Sequence, residues 1–299
     1  MSGPQAALPL VAALAGALWA APGFAQSALD TTPAKQLFGA AKAPVDMKAR
    51  SIGFYSKGCL AGGEMLPVNG PAWQAMRLSR NRNWGHPALV EFVERLAVKV
   101  PKVSNWPGIL VGDMSQPRGG PMLTGHASHQ IGLDADIWLT PMPNREFTRQ
   151  EREDISATMI VRKDRLDVDP KVWTPSHVAV IKAAATDPQV ERVLVNAAIK
   201  KALCRDAGND RAWLQKVRPY WGHDYHMHVR IACQAGSPEC RAQDAVVPGE
   251  GCGKELDWWF SDAVLHPKPP PKPPVPPKPK PPMMLSDMPD ACRQVLLGR

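Results

Sequence analysis

Two short stretches of the chain hold most of its residues able to bind a metal or move a proton. The first is Gly125-His126-Ala127-Ser128-His129-Gln130-Ile131-Gly132-Leu133-Asp134-Ala135-Asp136, with two histidines and two acids within eleven residues. His129 and Asp136 stand seven apart, joined by a glycine-containing segment that leads into a strand, so the chain can fold back and offer an imidazole and a carboxylate to one ion. The second is His223-Asp224-Tyr225-His226-Met227-His228, where positions two apart on a strand face the same side and aim His226 and His228 into one space. A His, Asp, His set supplies three protein ligands and leaves a fourth tetrahedral position for water, as in a catalytic zinc site; a structural site would want four ligands, usually with cysteines. Asp134 alternates with Asp136 and so shares its face, where it is expected to support a ligand from behind. No HExxH helix is present, so no glutamate base of that type is available.

The elements that must carry these residues read as short strands and scattered helices. Apolar residues at Leu89, Val90, Phe92, Val93, Leu96 and Ala97 have helical spacing after His86-Pro87. Residues 108–113 read as a buried strand feeding a Gly/Pro-rich loop over 115–125, and 132–139 as the next strand. Helices are expected over 152–161, 175–187, 197–204 and 210–217, and strands over 190–196 and 226–233, the last alternating as HMHVRIAC. Residues 52–67 suggest strand and turn pieces. The mixture favours an α+β fold, with an antiparallel sheet core and flanking helices, over a doubly wound sheet.

Residues 1–25 carry no charged side chain, and an apolar run over 8–21 precedes Pro22-Gly23-Phe24-Ala25. This reads as a signal peptide cleaved between Ala25 and Gln26, the run being shorter than the roughly 20 residues of a spanning helix. No later segment reaches spanning length. The six cysteines of an exported chain default to disulfides, and their spacing alone leaves the pairing open. Residues 26–50 read as an irregular lead and 51–265 as the functional domain. Residues 266–282 contain eleven prolines with interspersed lysines, which makes them an extended spacer before a segment over 283–299 that carries Cys292. The net charge is +8, and four of those charges, Lys268, Lys272, Lys278 and Lys280, lie in the spacer. Contact with an anionic wall or membrane surface fits this balance, and no nucleic-acid motif appears.

The pair His-x6-Asp and His-x-His is the signature of the lysostaphin-type, D-Ala-D-Ala metallopeptidase and sonic hedgehog group. The longer stretches GHASHQIGLDADIW, NRNWGHPALVEF and LCRDAGNDRAWLQKVRPYWGHDYHMHVR, with GCG before a tryptophan-rich segment, resemble the penicillin-insensitive murein endopeptidase family from about Ile52 to Cys292. The resemblance implies zinc on His129, Asp136 and His228, with His226 stabilising an oxyanion or handling protons and His223 and His126 as further active-site histidines. It implies a further metal-associated carboxylate at Asp164, but Asp167 stands where the family pattern has histidine. One Zn2+ is therefore expected and a second is left open. The implied disulfides are Cys59–Cys292, Cys204–Cys252 and Cys233–Cys240.

The implied activity is hydrolysis of D-Ala to meso-diaminopimelate cross-links in the peptidoglycan of the periplasm. Zinc would lower the pKa of its water toward about 7 and polarise the scissile carbonyl, so no serine is needed and β-lactams should not inhibit. Two rivals are a zinc-bearing wall-binding module without catalysis and a D,D-carboxypeptidase with the same site. His177 and His266 read as packing or solvent-facing residues, and His86 stays open. Trp221, Trp258 and Trp259 read equally as core or as the lining of a glycan-peptide groove.

Overall fold

The period-two pattern around both chemical stretches is realised in one seven-stranded sheet. The computed structural model describes residues 29–269, 278 and 280–298; the expected signal peptide and its cleavage position lie outside them. The strands are β1 Arg50–Phe54, β2 Lys57–Ala61, β3 Glu64–Met65, β4 Asn69–Gly70, β5 Trp73–Ala75, β6 Trp84–Gly85, β7 Ile109–Val111, β8 Asp134–Pro141, β9 Val190–Val195, β10 Val217–Pro219 and β11 His226–Ile231. The large sheet runs β10-β9-β11-β8-β7-β5-β4, and β1-β2 and β3-β6 form two separate two-stranded sheets. Within it β10/β9 and β7/β5 are parallel and the other neighbours antiparallel. The fold is the expected α+β class with an antiparallel core.

The helices are α1 Ala34–Ala40, α2 Pro87–Val103, α3 Arg149–Asp154, α4 Pro175–Ala185, α5 Ala197–Asp206, α6 Lys254–Asp257, α7 Asp262–Leu265 and α8 Ala291–Leu297. On α2, Leu89, Val90, Phe92, Val93, Leu96, Ala97 and Val100 bury one stripe, while Glu91, Glu94 and Arg95 stay outside it. His86 caps this helix, its Nδ1 accepting from Ala88 N at 3.2 Å, and Pro87 takes the first turn, where a missing N–H costs nothing. The stripe joins Val180 and Ile181 of α4 and Ile199 of α5 in the main core, together with Ala135, Ile137 and Leu139 of β8 and Met227, Val229 and Ile231 of β11. The alternate residues of those two strands, Asp134, Asp136, His226, His228 and Arg230, lie outside this cluster yet are buried. Helices thus fill one face of the central strand pair, and the other face holds the chemistry.

A second core packs the two ends of the described chain on β1-β2. Phe38 of α1 and Val45 meet Leu285, Met288 and Val295, with Cys59–Cys292 bonded in their midst. The lead over 26–50 is therefore not irregular throughout: Ala34 and Phe38, four apart, bury one side of a short helix. The other disulfides are Cys204–Cys252 and Cys233–Cys240, so all three pairs coincide with those the resemblance implies.

Two expected helices differ. In place of 152–161, Thr148 and Glu151 form a reciprocal capping box that starts α3 at Arg149, and the chain leaves helical geometry at Ile155. Ile155 and Ala157 then pack beside Met76, Leu110 and Trp138 in a satellite cluster. In place of 210–217 there is a 3-10 turn, Ala212–Lys216, followed by β10, because Val217 pairs with Val193 at the sheet edge.

Candidate metal centre

Strands β8 and β11 run antiparallel in a register that sets His228 opposite Asp136 and Arg230 opposite Asp134. Both acids are buried, as are His129, His226 and His228. The remaining ring arrives from the loop before β8, where His129 adopts φ 68° and Gly132 φ 72°. A histidine in the left-handed region is costly, so other bonds must impose it. His129 N donates to Asp134 Oδ2 at 2.9 Å, and its carbonyl accepts from Ser115 Oγ at 2.6 Å.

Four imidazoles converge on Asp136. His129 Nε2 and His228 Nδ1 lie 3.4 and 3.1 Å from Oδ1, and His126 Nδ1 and His226 Nε2 lie 3.4 and 3.6 Å from Oδ2. The donor atoms of His126, His129 and Asp136 fall within 4.8 Å of one another, the one such set among the described residues. His223 stands beside them, its ring centroid 4.8 Å from that of His226 and 5.8 Å from that of His228.

Acids behind the rings orient them. Asp113 Oδ2 meets His126 Nε2 at 3.0 Å and is itself held by Arg82 at 2.8 Å and Arg80 at 3.0 Å, which leaves His126 Nδ1 facing Asp136. Asp134 Oδ1 lies 3.1 Å from His228 Nε2 and 2.7 Å from Arg230 Nε, so His228 likewise turns Nδ1 inward. A carboxylate behind an imidazole fixes the tautomer that leaves the inner nitrogen free for a metal. Burial alone would raise both acids, but Arg230 and His228 for Asp134, and His129 and His226 for Asp136, hold them well below the usual carboxylate range. Burial pushes His226 down to about 4; burial also lowers His228, but the charges and hydrogen bonds of Asp134 and Asp136 together carry it up to about 9.

These residues fit a cation. Buried atoms without a hydrogen-bond partner include His129 Nδ1 and Nε2, Asp136 Oδ1 and His226 Nδ1. Each such atom costs about 1–3 kcal/mol if nothing meets it, and an ion shared by imidazoles and a carboxylate meets several at once.

Of the sequence-expected residues, His126, His129, Asp134, Asp136, His223, His226 and His228 come together. Asp164 does not: it is exposed, paired with Arg162 and accepting from Leu166 N, and none of its contacts among the described residues is with the cluster. Sequence reasoning missed Asp113, Arg82 and Arg230. Arg230 had a signal, since it continues the alternation of His226 and His228; Asp113 had only its place at the end of an apolar run.

Two clefts flank the cluster. One, of about 370 Å³, is lined by Arg77, Arg80, His126, Asp136, Tyr225 and His226 among others. The second, of about 470 Å³, shares His126 and adds His223, His228, Arg192, Arg218 and Arg230, with no acid in its lining. A larger cavity of about 600 Å³ beside Val190 and Trp213 contains none of the donors.

Residues 51–297 match the family described as penicillin-insensitive murein endopeptidase. Proteins of that name are similar over most of the chain. That of Haemophilus influenzae is 44% identical over 251 residues, covering 84% of each chain. That of Klebsiella pneumoniae subsp. pneumoniae is 45% identical over 229 residues, 77% of this chain and 83% of the relative. That of Pectobacterium atrosepticum is 43% identical over 256 residues, 86% of each.

Proposed function

The chain belongs to the penicillin-insensitive murein endopeptidase family, and on that premise we propose that it is an exported zinc endopeptidase that hydrolyses D-Ala to meso-diaminopimelate cross-links in periplasmic peptidoglycan. The observation that carries the reading is the donor cluster lying between two clefts that share His126. A cross-linked peptide continues on both sides of the bond to be cut, so an endopeptidase needs room on both sides, whereas a carboxypeptidase needs it on one. Arg192 and Arg218 suit the second cleft to the carboxylates of a stem peptide. Three disulfides fit an oxidising compartment, and among the described residues no helix is long and apolar enough to cross a membrane.

His129, Asp136 and His228 would hold the zinc, with His126 as an adjacent donor. When bound, zinc supplies Lewis acidity at the scissile carbonyl and makes water acidic enough to attack near neutral pH. His226 borders the first cleft, neutral at pH 7 because burial lowers it, and its Nε2, on the Asp136 side of the ring, would take a proton or donate to a developing oxyanion. His223 bonds Trp221 O through Nδ1 at 2.8 Å, which turns the other nitrogen of a neutral ring toward substrate. Asp113 and Asp134 keep the rings they touch from turning. No serine nucleophile enters this scheme, so penicillin has nothing to acylate.

Digestion of purified cross-linked muropeptide dimers tests the proposal. Zinc-loaded protein should convert dimers to monomers, a strong chelator should stop it and penicillin should not. Intact dimers with zinc-loaded protein would refute endopeptidase action; conversion unaffected by the chelator would refute the metal. Release of free D-Ala in place of monomers would make the enzyme a carboxypeptidase.

A further inference from the structure

Just outside the second cleft the chain exposes indole rings in a concave group. Trp221 and Trp258 are each 54% exposed. Ring centroids lie 4.8 Å apart for Trp221 and Trp259 at 58°, 5.3 Å for Trp258 and Trp259 at 82°, and 6.4 Å for Trp221 and Trp258 at 76°. A cleft of about 140 Å³ beside them adds Tyr220, Asn196, Asp224 and Arg165 to Trp221 and Trp259. The Nε1 groups of Trp73, Trp84, Trp173 and Trp213 donate to Pro67 O, Asn81 Oδ1, Asp206 Oδ2 and Asp210 O. Among the described residues no such bond engages Trp221, Trp258 or Trp259. Exposed aromatic faces grouped beside a cleft, with their polar handles unengaged, suit a binding surface.

We propose that these three tryptophans are a saccharide subsite, which holds the N-acetylated amino sugar attached to the stem peptide under cleavage. Inclined ring faces offer π-surface to the C–H face of a pyranose, while Asp224 Oδ2, the guanidinium of Arg165 and the indole N–H groups offer partners to its hydroxyl and acetamido groups. The subsite is joined rigidly to the chemistry. Gly222 and His223 both take positive φ, 67° and 59°, so the turn sends Trp221 outward and His223 inward, with Trp221 O bonded to His223 Nδ1. Tyr220 lines both this cleft and the second cleft of the metal centre. On the far side Cys204–Cys252 ties the tryptophan-bearing segment to α5, and Lys201 Nζ sits 5.0 Å from the Phe260 ring centroid. The sugar-bearing end of a substrate would thus lie on a preformed surface continuous with the site of cleavage, and this assignment rests on the endopeptidase reading.

The test begins with a neutral, peptide-free probe, the trimer of N-acetylglucosamine, titrated into zinc-loaded protein and followed by calorimetry and tryptophan fluorescence. Saturable binding is expected, weakened about tenfold in Trp258→Ala and in Trp221→Ala and partly restored in Trp258→Phe, as loss of an aromatic face predicts. Cross-linked dimers with and without their disaccharides provide the second measurement. Wild type should favour the sugar-bearing dimer about tenfold in kcat/KM, and Trp258→Ala should remove that preference through KM. Absence of trimer binding, or equal binding by all variants, overturns the subsite. Equal cleavage of both dimers overturns it while leaving the endopeptidase reading intact; cleavage of neither refutes that reading, and the trimer titration still decides the subsite. Trp258-dependent co-sedimentation with phosphatidylglycerol vesicles, without trimer binding, would reassign the surface to lipid and also overturn it.

Discussion

Strand β8 serves two buried imidazoles. At Leu139 its carbonyl meets His177 Nε2 at 3.3 Å, while His177 Nδ1 is met by Thr174 N at 3.1 Å and Thr174 Oγ1 at 2.9 Å, and the ring stacks on Trp173. Five residues earlier, Asp134 holds the backbone of His129, whose own two ring nitrogens meet no hydrogen-bond partner. Burial is the same, and the bonding is opposite. A buried histidine with both nitrogens engaged is packing; one with both unpaired, beside an equally unpaired carboxylate oxygen, has the arrangement of a candidate ligand site.

This contrast can be broken by substitution. The largest effect is expected for His129→Ala and Asp136→Asn, which should lose stoichiometric zinc by elemental analysis and fall to background in dimer cleavage; a variant that keeps both would end the assignment. His226→Ala should keep zinc and lose on the order of 10²–10⁴ in rate, the usual range for one acid/base group, and loss of zinc there would make His226 a ligand. Asp134→Asn should weaken zinc affinity about 10–100-fold, as expected of a group orienting a ligand, measured by competition with a chromogenic chelator.

His177→Gln should leave zinc content and the pH profile of cleavage unchanged and cost about 1–3 kcal/mol of stability, since it strands Thr174 N and Leu139 O. Altered zinc content would erase the contrast. The smallest expected effect is on pH. Burial lowers His177 below its ordinary 6.5, so the unfolded chain takes the proton first. The stability this imposes is complete above 6.5 and is lost as pH falls through the folded value. Acid melts of zinc-saturated protein should therefore show a steeper decline for wild type than for His177→Gln.

The central strands were legible because one face of each is core and the other is polar, so DADIW and HMHVR announce their period directly. Helix α2 was legible for the same reason at period 3.6. By contrast, α1 shows only Ala34 and Phe38 locally, and its apolar cover, Leu285 and Val295, comes from the far end of the chain. Ile155 and Ala157 mimic a continuing helix but are drawn onto Trp138. At the site, residue types and spacing sufficed for the His and Asp donors, while the choice among neighbouring histidines came from resemblance. The bond from Asp113 to His126 depends on the course of the intervening Gly/Pro-rich loop, and the clefts on both sides of the cluster depend on several distant segments; neither leaves a local trace.

The register that sets His228 against Asp136 has a consequence for quality control of the fold. If β11 slipped by one residue on β8, a ladder of backbone bonds could re-form, yet Asp136 would keep its face while Val229 took the place of His228 beside it and His228 turned into the hydrocarbon side. With zinc held as proposed, only copies in the native register would assemble the centre, so metal uptake would report on strand alignment.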